Sequence, residues 1–174
     1  TLSEDFWLSQ LKEILKEGDA FGDLNLGHGQ SINLEYVSCN PTGPMHMGHC
    51  RGAVVGDVLA HILQKVGYQV TKEFYINDAG GQAKDLARSA YQRYLEALGL
   101  QRTQETTYGG DYLVPVGKAL AEKYGNSFVG KDESEWLESV QKDSMAMMMD
   151  RIKADLKELH IQHDIFASEA QLLA

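Results

Sequence analysis

Between residues 32 and 76 the chain passes through an apolar strand, a Pro/Gly turn, an amphipathic helix and a second strand, and this order constrains its fold more than any other feature. Ile32, Leu34, Tyr36 and Cys39 mark the first strand. Val37 adds a second apolar face, so the pattern predicts a buried parallel strand reaching Cys39. Pro41, Gly43 and Pro44 end it. The next helix is predicted from about Met47 to Val66, with Val54, Val55, Val58, Leu59, Ile62, Leu63 and Val66 as its apolar stripe and Gly67 as its stop. Val70 to Ile76, rich in β-branched and aromatic residues, forms the second strand. Two parallel strands need such a crossover, and its hand should be right-handed. The turn Asn77, Asp78, Ala79, Gly80, Gly81 then lies at the carboxyl end of the second strand, where open α/β sheets bind their ligands.

Upstream, Trp7, Leu8, Leu11, Ile14 and Leu15 recur at helical spacing before Gly18, and the Gly-rich stretch 19–30 reads as a loop. Downstream, Ala83, Leu86, Ala87, Ala90, Tyr91, Tyr94, Leu95 and Leu98 trace another helix. Residues 101–110 are polar and predicted to be exposed. A short helix over 112–124 has Pro115 near its first turn, and a long helix over 132–159 precedes a further strand at 161–167. The Met145, Met147, Met148, Met149 run and the Tyr91/Tyr94 pair fall on helical faces, so packing explains them better than a binding surface does.

With 174 residues the chain is the size of one domain. It has no apolar run long enough to cross a membrane as a helix, and no basic, apolar leader. Two cysteines, Cys39 and Cys50, are too few for a disulfide framework and predict a reducing, cytoplasmic setting. A net charge of −9 argues against a surface that attracts nucleic acid broadly, while leaving room for local contacts. The chain opens on Thr1 and stops in Gln171, Leu172, Leu173, Ala174, which reads as helix in progress. Both ends are therefore expected to be internal to a longer protein, with 1–30 leading in from a preceding domain and 31–174 forming part of a catalytic domain.

The turn between the first strand and its helix reads Cys39, Asn40, Pro41, Thr42, Gly43, Pro44, Met45, His46, Met47, Gly48, His49. A His-x-Gly-His at a helix N-terminus suits a nucleotide triphosphate. Free N–H groups and the positive end of the helix dipole face the phosphates, and the imidazoles can donate to their oxygens as charge builds up. Gly48 lets a flat base or ribose approach the backbone. A zinc site built from Cys39, His46, His49 and Cys50 is disfavoured, because adjacent His49 and Cys50 point in different directions on one helix; no structural metal is expected. Glu35 either occupies an edge or exposed strand position, or it supports a cationic substrate or orients a pocket residue. Asn40 can serve both the turn and a ligand. Asp78 and Gln82 either cap the following helix or face the histidines' crevice. Arg51 either meets phosphate or is solvated.

Residues 35–57, with Phe74, Tyr75, Ile76, Asn77, Asp78, Ala79, Gly80, Gly81 and Gln82 after them, resemble the signature of bacterial-type arginyl-tRNA synthetases. The resemblance implies an α/β fold, a Rossmann-like parallel sheet with crossover helices and a helix-rich insertion, forming the first half of a class I catalytic core. It implies arginyl-adenylate formation from arginine and Mg2+-ATP, followed by transfer to tRNA(Arg), in a protein expected to be monomeric and cytoplasmic. His46, Gly48 and His49 match the nucleotide-binding HIGH motif, with Met47 where Ile or Val is usual. Ser38, Cys39, Asn40, His49 and Glu35 match positions at the arginine site, although the family often has Ala or Pro in place of Cys39, and Asp78 and Gln82 are expected by the resemblance to contact the pocket or the tRNA end. No Lys-Met-Ser-Lys-like loop occurs in the chain. That loop, the guanidinium-binding carboxylates and an anticodon-binding bundle are expected beyond Ala174, so the isolated chain is expected to be inactive. The alternatives are a small nucleotidylyltransferase, disfavoured by the Asn-Asp-Ala-Gly-Gly-Gln phrase, and a non-catalytic module with a synthetase-like fold, disfavoured by the intact histidines and Gly48.

Overall fold

The computed structural model describes residues 1–173. In chain order the elements are α1 (Glu4–Glu17), β1 (Ser31–Glu35), α2 (Met47–Lys65), β2 (Gln69–Ile76), α3 (Gly81–Ala97), α4 (Val114–Tyr124), α5 (Glu133–Glu158), β3 (Ile165–Ser168) and α6 (Glu169–Leu172). The three strands form one parallel sheet in the order β1-β2-β3, with Ser31 opposite Gln69 and Glu73 opposite Ile165. α2 makes the first crossover, and α3, α4 and α5 together make the second. This is the Rossmann-like βαβ arrangement with a helix-rich insertion. No helix among the described residues is long and apolar enough to cross a membrane.

Two apolar cores share one long helix. The first is all helical: Leu86, Ala90, Tyr94 and Leu95 of α3 meet Val116 and Leu120 of α4 and Trp136, Val140 and Met148 of α5. Tyr91 stacks flat on Trp136 with ring centroids 3.9 Å apart, and the buried Tyr91 and Tyr94 hydroxyls donate to the carbonyls of Phe128 and Gly125. The second core lies on the sheet, where Met149, Ile152 and Leu156 of α5 pack with Tyr36, Cys39, Ala53 and Phe74. At 26 residues α5 is about 39 Å long, enough to span both cores. The methionine run belongs to this packing, with Met145, Met148 and Met149 buried.

Three local expectations need correction. β1 stops at Glu35 instead of reaching Cys39, and only one of its faces is covered: Ile32 and Leu34 are half-buried, while Ser31, Asn33 and Glu35 are exposed. α2 turns a different stripe to the sheet from the one its large apolar residues suggest. Ala53, Gly56, Asp57 and Ala60 are buried, while Val54, Val55, Val58, Leu59 and Ile62 are exposed. The reason is close approach, since a Cβ on Gly56 would lie 2.3 Å from the Tyr36 ring. The third strand begins at Ile165, not Ile161. His160 adopts φ +59° and the segment turns inward, burying Ile161 and His163 before Asp164 joins Lys72 through backbone and side chain. α1 is amphipathic as its spacing predicts, with Gly18 closing it at φ +57°, and none of its residues is buried. The terminal stretch is helical to Leu172, and Ala174 lies outside the described residues.

His163 sits among aromatic rings, 4.3 Å from Tyr36 and 5.6 Å from Phe74 between centroids. Neither ring nitrogen has a well-formed hydrogen bond, although the Tyr36 backbone is near enough to favour the protonated ring. Burial first, and then the charge of Lys72, push its pKa below the usual 6.5, against Asp57 and Asp164. The unfolded chain therefore binds the extra proton first. Stability from the neutral ring is intact above about pH 6.5 and declines as pH falls toward the folded pKa, by at most about 1.4 kcal/mol per pH unit. Urea titrations from about pH 7.5 to about pH 5 should show a shallower decline in His163→Leu than in the wild type. Parallel curves would show that the ring carries no such load.

Candidate functional site

The site begins where β1 is cut. The Ser38 N–H donates to the Tyr36 carbonyl at 3.0 Å, and Val37 and Ser38 hold φ +68° and +37°. Positive φ is costly for a β-branched residue and cannot continue a ladder. Tyr36 still pairs with β2 through its N–H to the Glu73 carbonyl at 3.1 Å. Two residues further on, the ladder partner is replaced by a side chain, as the Tyr75 N–H donates to Ser38 Oγ at 3.0 Å. The Tyr75 N–H thus keeps an acceptor where the chain leaves the sheet, and the chain arches over residues 39–46 to the start of α2.

At that start His46 is the N-cap. The Gly48 N–H donates to His46 Nδ1 at 3.1 Å, and the His46 N–H reaches back to His49 Nδ1 at 3.4 Å, a capping box made by two histidines. The rings stack with centroids 3.6 Å apart. With each Nδ1 accepting, the neutral rings carry their proton on Nε2, and both present an N–H edge. Burial, then the neighbouring His46, holds the His49 pKa below its ordinary value. The first turn of α2 has no acidic side chain of its own to offset the positive end of its dipole. Gly48 has a nearer reason than ligand approach: a Cβ there would lie 3.0 Å from the His46 ring. Arg51 is exposed.

The second signature turn lies beside the first. Asn40 Nδ2 donates to Gln82 Oε1 at 2.7 Å, joining the strand-end turn to the first turn of α3. Gln82 therefore faces the motif, whereas the Asp78 carboxylate ties down the end of β3, accepting from Ser168 Oγ at 2.6 Å and the Ala170 N–H at 2.8 Å. The helix after Asp78 is capped at Gly80, with no side-chain bond. Cys39 is buried and its thiol is pushed up to about 11, chiefly by burial, so it stays protonated and offers no nucleophile. Glu35 is exposed at the end of β1, directly across from Glu73. Acidic groups crowd this strand end: after desolvation, Glu169, Asp78 and Glu35 all raise the pKa of Tyr75.

Three participants were not singled out in the sequence. Asp57 is buried on α2, accepts from Tyr36 Oη at 3.1 Å and sits 3.5 Å from Lys72 Nζ, pinning helix to sheet beneath the histidines. Its signal was that it is the one acidic residue of α2. Ser168 fixes Asp78, and Tyr112 donates to the Thr42 carbonyl at 2.8 Å. Nothing local marks either. A cavity of about 670 Å3 lies elsewhere, before β3 against Lys153, Leu156, His160 and His163, with no motif residue in its wall. Among the described residues no group of three or more His, Cys, Asp or Glu side chains converges to hold a metal ion.

The family model described as "tRNA synthetases class I (R), catalytic domain" matches residues 10–107. The arginine–tRNA ligase of Nitrobacter hamburgensis is 53% identical over 99% of this chain and 29% of its own length. That of Rhizobium rhizogenes is 51% identical over 99% and 30%. The chain thus spans just under a third of the length of these curated relatives. A crystal structure from Campylobacter jejuni, assigned as an arginyl-tRNA synthetase, superposes with a TM-score of 0.83 at 32% identity, covering 98% of this chain and 37% of that one.

The strand-end geometry is directly testable. Ser38→Ala leaves the Tyr75 N–H without its acceptor, so hydrogen exchange at that amide should accelerate about tenfold. The Tyr36 amide, bonded to Glu73, should keep its protection. Unchanged exchange at Tyr75 would show that Ser38 does not close the ladder.

Proposed function

The chain belongs to the catalytic-domain family of class I tRNA synthetases for arginine, and from that membership and the geometry of its two turns we propose that the complete protein activates arginine with ATP and attaches it to tRNA(Arg). This chain carries the part of the site that handles the nucleotide and the amino-acid end of arginine. The observation that carries the reading is the histidine pair, two stacked imidazoles on the N-terminus of α2 with both Nδ1 atoms satisfied internally and both Nε2–H edges free to donate.

In the proposed reaction a carboxylate oxygen of arginine attacks the α-phosphorus of ATP, which enters as its Mg2+ complex. The new C–O–P bond forms as the bond to the bridging oxygen breaks, pyrophosphate departs with the electron pair, and arginyl-adenylate remains. The protein contributes position and charge stabilisation. His46 and His49 donate from Nε2 to phosphate oxygens that gain charge in the transition state, and the α2 dipole adds to the same field. Gly48 keeps the His46 ring folded over the first turn.

Ser38, Cys39 and Asn40 line the α-amino end of arginine. Cys39 acts through its backbone, since its thiol is buried and protonated. Asn40, oriented by Gln82, offers its amide oxygen to the ammonium group. Glu35, in the acidic surroundings of Tyr75, adds attraction for a cationic substrate. Asp78 supports the wall of this end by holding Ser168 and Ala170 in place. A tRNA-dependent, cytoplasmic, monomeric enzyme completes the reading, with residues 1–30 leading into the catalytic part.

ATP–pyrophosphate exchange by the full-length protein, against all twenty amino acids with and without tRNA, tests it. Exchange with arginine alone is the expected result. His46→Ala and His49→Ala should each lower kcat about a hundredfold and change the arginine KM far less. A raised KM with kcat intact would remove the histidines from the chemical step.

A further inference from the structure

Residues 39–46 lie outside every strand and helix, yet they carry the site from the end of β1 to the histidines. Among the described residues, the side-chain hydrogen bonds that tether this segment from outside come from the helical layer and not from the sheet. Gln82 of α3 takes Asn40, and Tyr112, just ahead of α4, takes the carbonyl of Thr42 from 70 residues away. We propose that Tyr112 is a positioning residue that sets the height of the 40–43 turn, and through it the His46–His49 pair. The proposal rests on the activation reading and adds the residue by which the helical layer sets the nucleotide site.

The fit around Tyr112 is close on both sides. A Cβ on Gly43 would meet its ring at 3.3 Å, and one on Gly110 at 2.3 Å, so the ring is held between two glycines. Behind it, Arg93 of α3 donates from Nη2 to the carbonyls of Gly109 at 2.8 Å and Gly110 at 3.4 Å. Gly117 of α4 packs directly on the Arg93 backbone. A continuous path of contacts therefore runs from α4 and α3 through Arg93, Gly110 and Tyr112 to Thr42. On the receiving side Thr42 is in a tight turn, its N–H donating to the Asn40 carbonyl at 2.8 Å, so displacement of one carbonyl moves the whole turn. Burial pushes the Tyr112 phenol up, which keeps it a donor at neutral pH.

The test uses the full-length protein, with pyrophosphate exchange normalised by active-site titration. Tyr112→Phe, which keeps the ring and removes the hydroxyl, should lower kcat per active site about tenfold with little change in arginine KM or in Tm. Gly110→Ala, which crowds the ring without touching the motif, should give a similar loss. The double variant should be no worse than either, because both act through one contact. His46 and His49 ring resonances should shift in Tyr112→Phe, a readout that a purely structural role would leave unmoved. Wild-type kcat per site in Tyr112→Phe, or losses that multiply in the double variant, would overturn the proposal. If the wild type shows no exchange with arginine, the activation reading falls. Unmoved histidine resonances in Tyr112→Phe would then separately overturn the positioning role.

Discussion

The site depends on where β1 is made to stop. Each residue added to a strand advances the chain about 3.3 Å, so continuing β1 from Glu35 to Cys39 would carry the motif about 13 Å further along the strand axis. Val37 and Ser38 prevent this by turning through positive φ, a conformation that costs on the order of 1–3 kcal/mol at each non-glycine residue and persists only where its surroundings fix it. Those surroundings are clear. Tyr36 is held on one side by Asp57 and packed against Gly56, and Ser38 is held on the other by the Tyr75 amide. A strained turn between two fixed residues sets the point from which the arch to His46 is built.

The same contact explains the unexpected orientation of α2. The helix has two stripes, one of large aliphatic residues and one of Ala53, Gly56, Asp57 and Ala60 at helical spacing. Hydrophobicity alone selects the first. The sheet selects the second, because the Tyr36 ring occupies the space that larger side chains would need, and because Asp57 finds Tyr36 and Lys72 there. A buried carboxylate without those partners would be expensive. With them it fixes both the rotation of α2 and the direction of its N-terminus. Five large aliphatic side chains are left facing outward, the cost of seating the helix closely.

What could be read from the sequence was what depends on local phase. The βαβ order, the position of the histidines at the head of α2, the long helix carrying the methionines and the packing role of Tyr91 and Tyr94 all follow from periodicity within one segment. The end of β1 could not be read, since Val37 is a good strand former and its positive φ is imposed by neighbours. The ties that assemble the site were equally hidden: Asn40 to Gln82, Tyr112 to Thr42 and Ser168 to Asp78 join residues 42, 70 and 90 positions apart. Spacing leaves Asp78 either capping the helix that follows it or facing the histidines' crevice. Three-dimensional packing gives it instead to the turn after β3.

The charge arrangement fits the proposed chemistry better than a simple basic site would. Two imidazolium ions with centroids 3.6 Å apart would repel by about 1 kcal/mol in water and by about 5 kcal/mol at an effective dielectric of about 20. The stacked pair therefore disfavours double protonation, and burial adds to this at His49. Neutral rings still donate from Nε2, so phosphate oxygens find hydrogen-bond donors and the end of a helix dipole without two full positive charges. This matters because the other proposed substrate is itself a cation. Its attraction comes from a separate place, the carboxylates around the ends of β1 and β2, where Glu169, Asp78 and Glu35 gather near Tyr75. The Asn40–Gln82 bond lies between the strand end and the histidine turn. A site with neutral donors on one side and carboxylates on the other can hold a polyanion and a cation together without repelling either, which a cluster of lysines or arginines at the same helix end could not do.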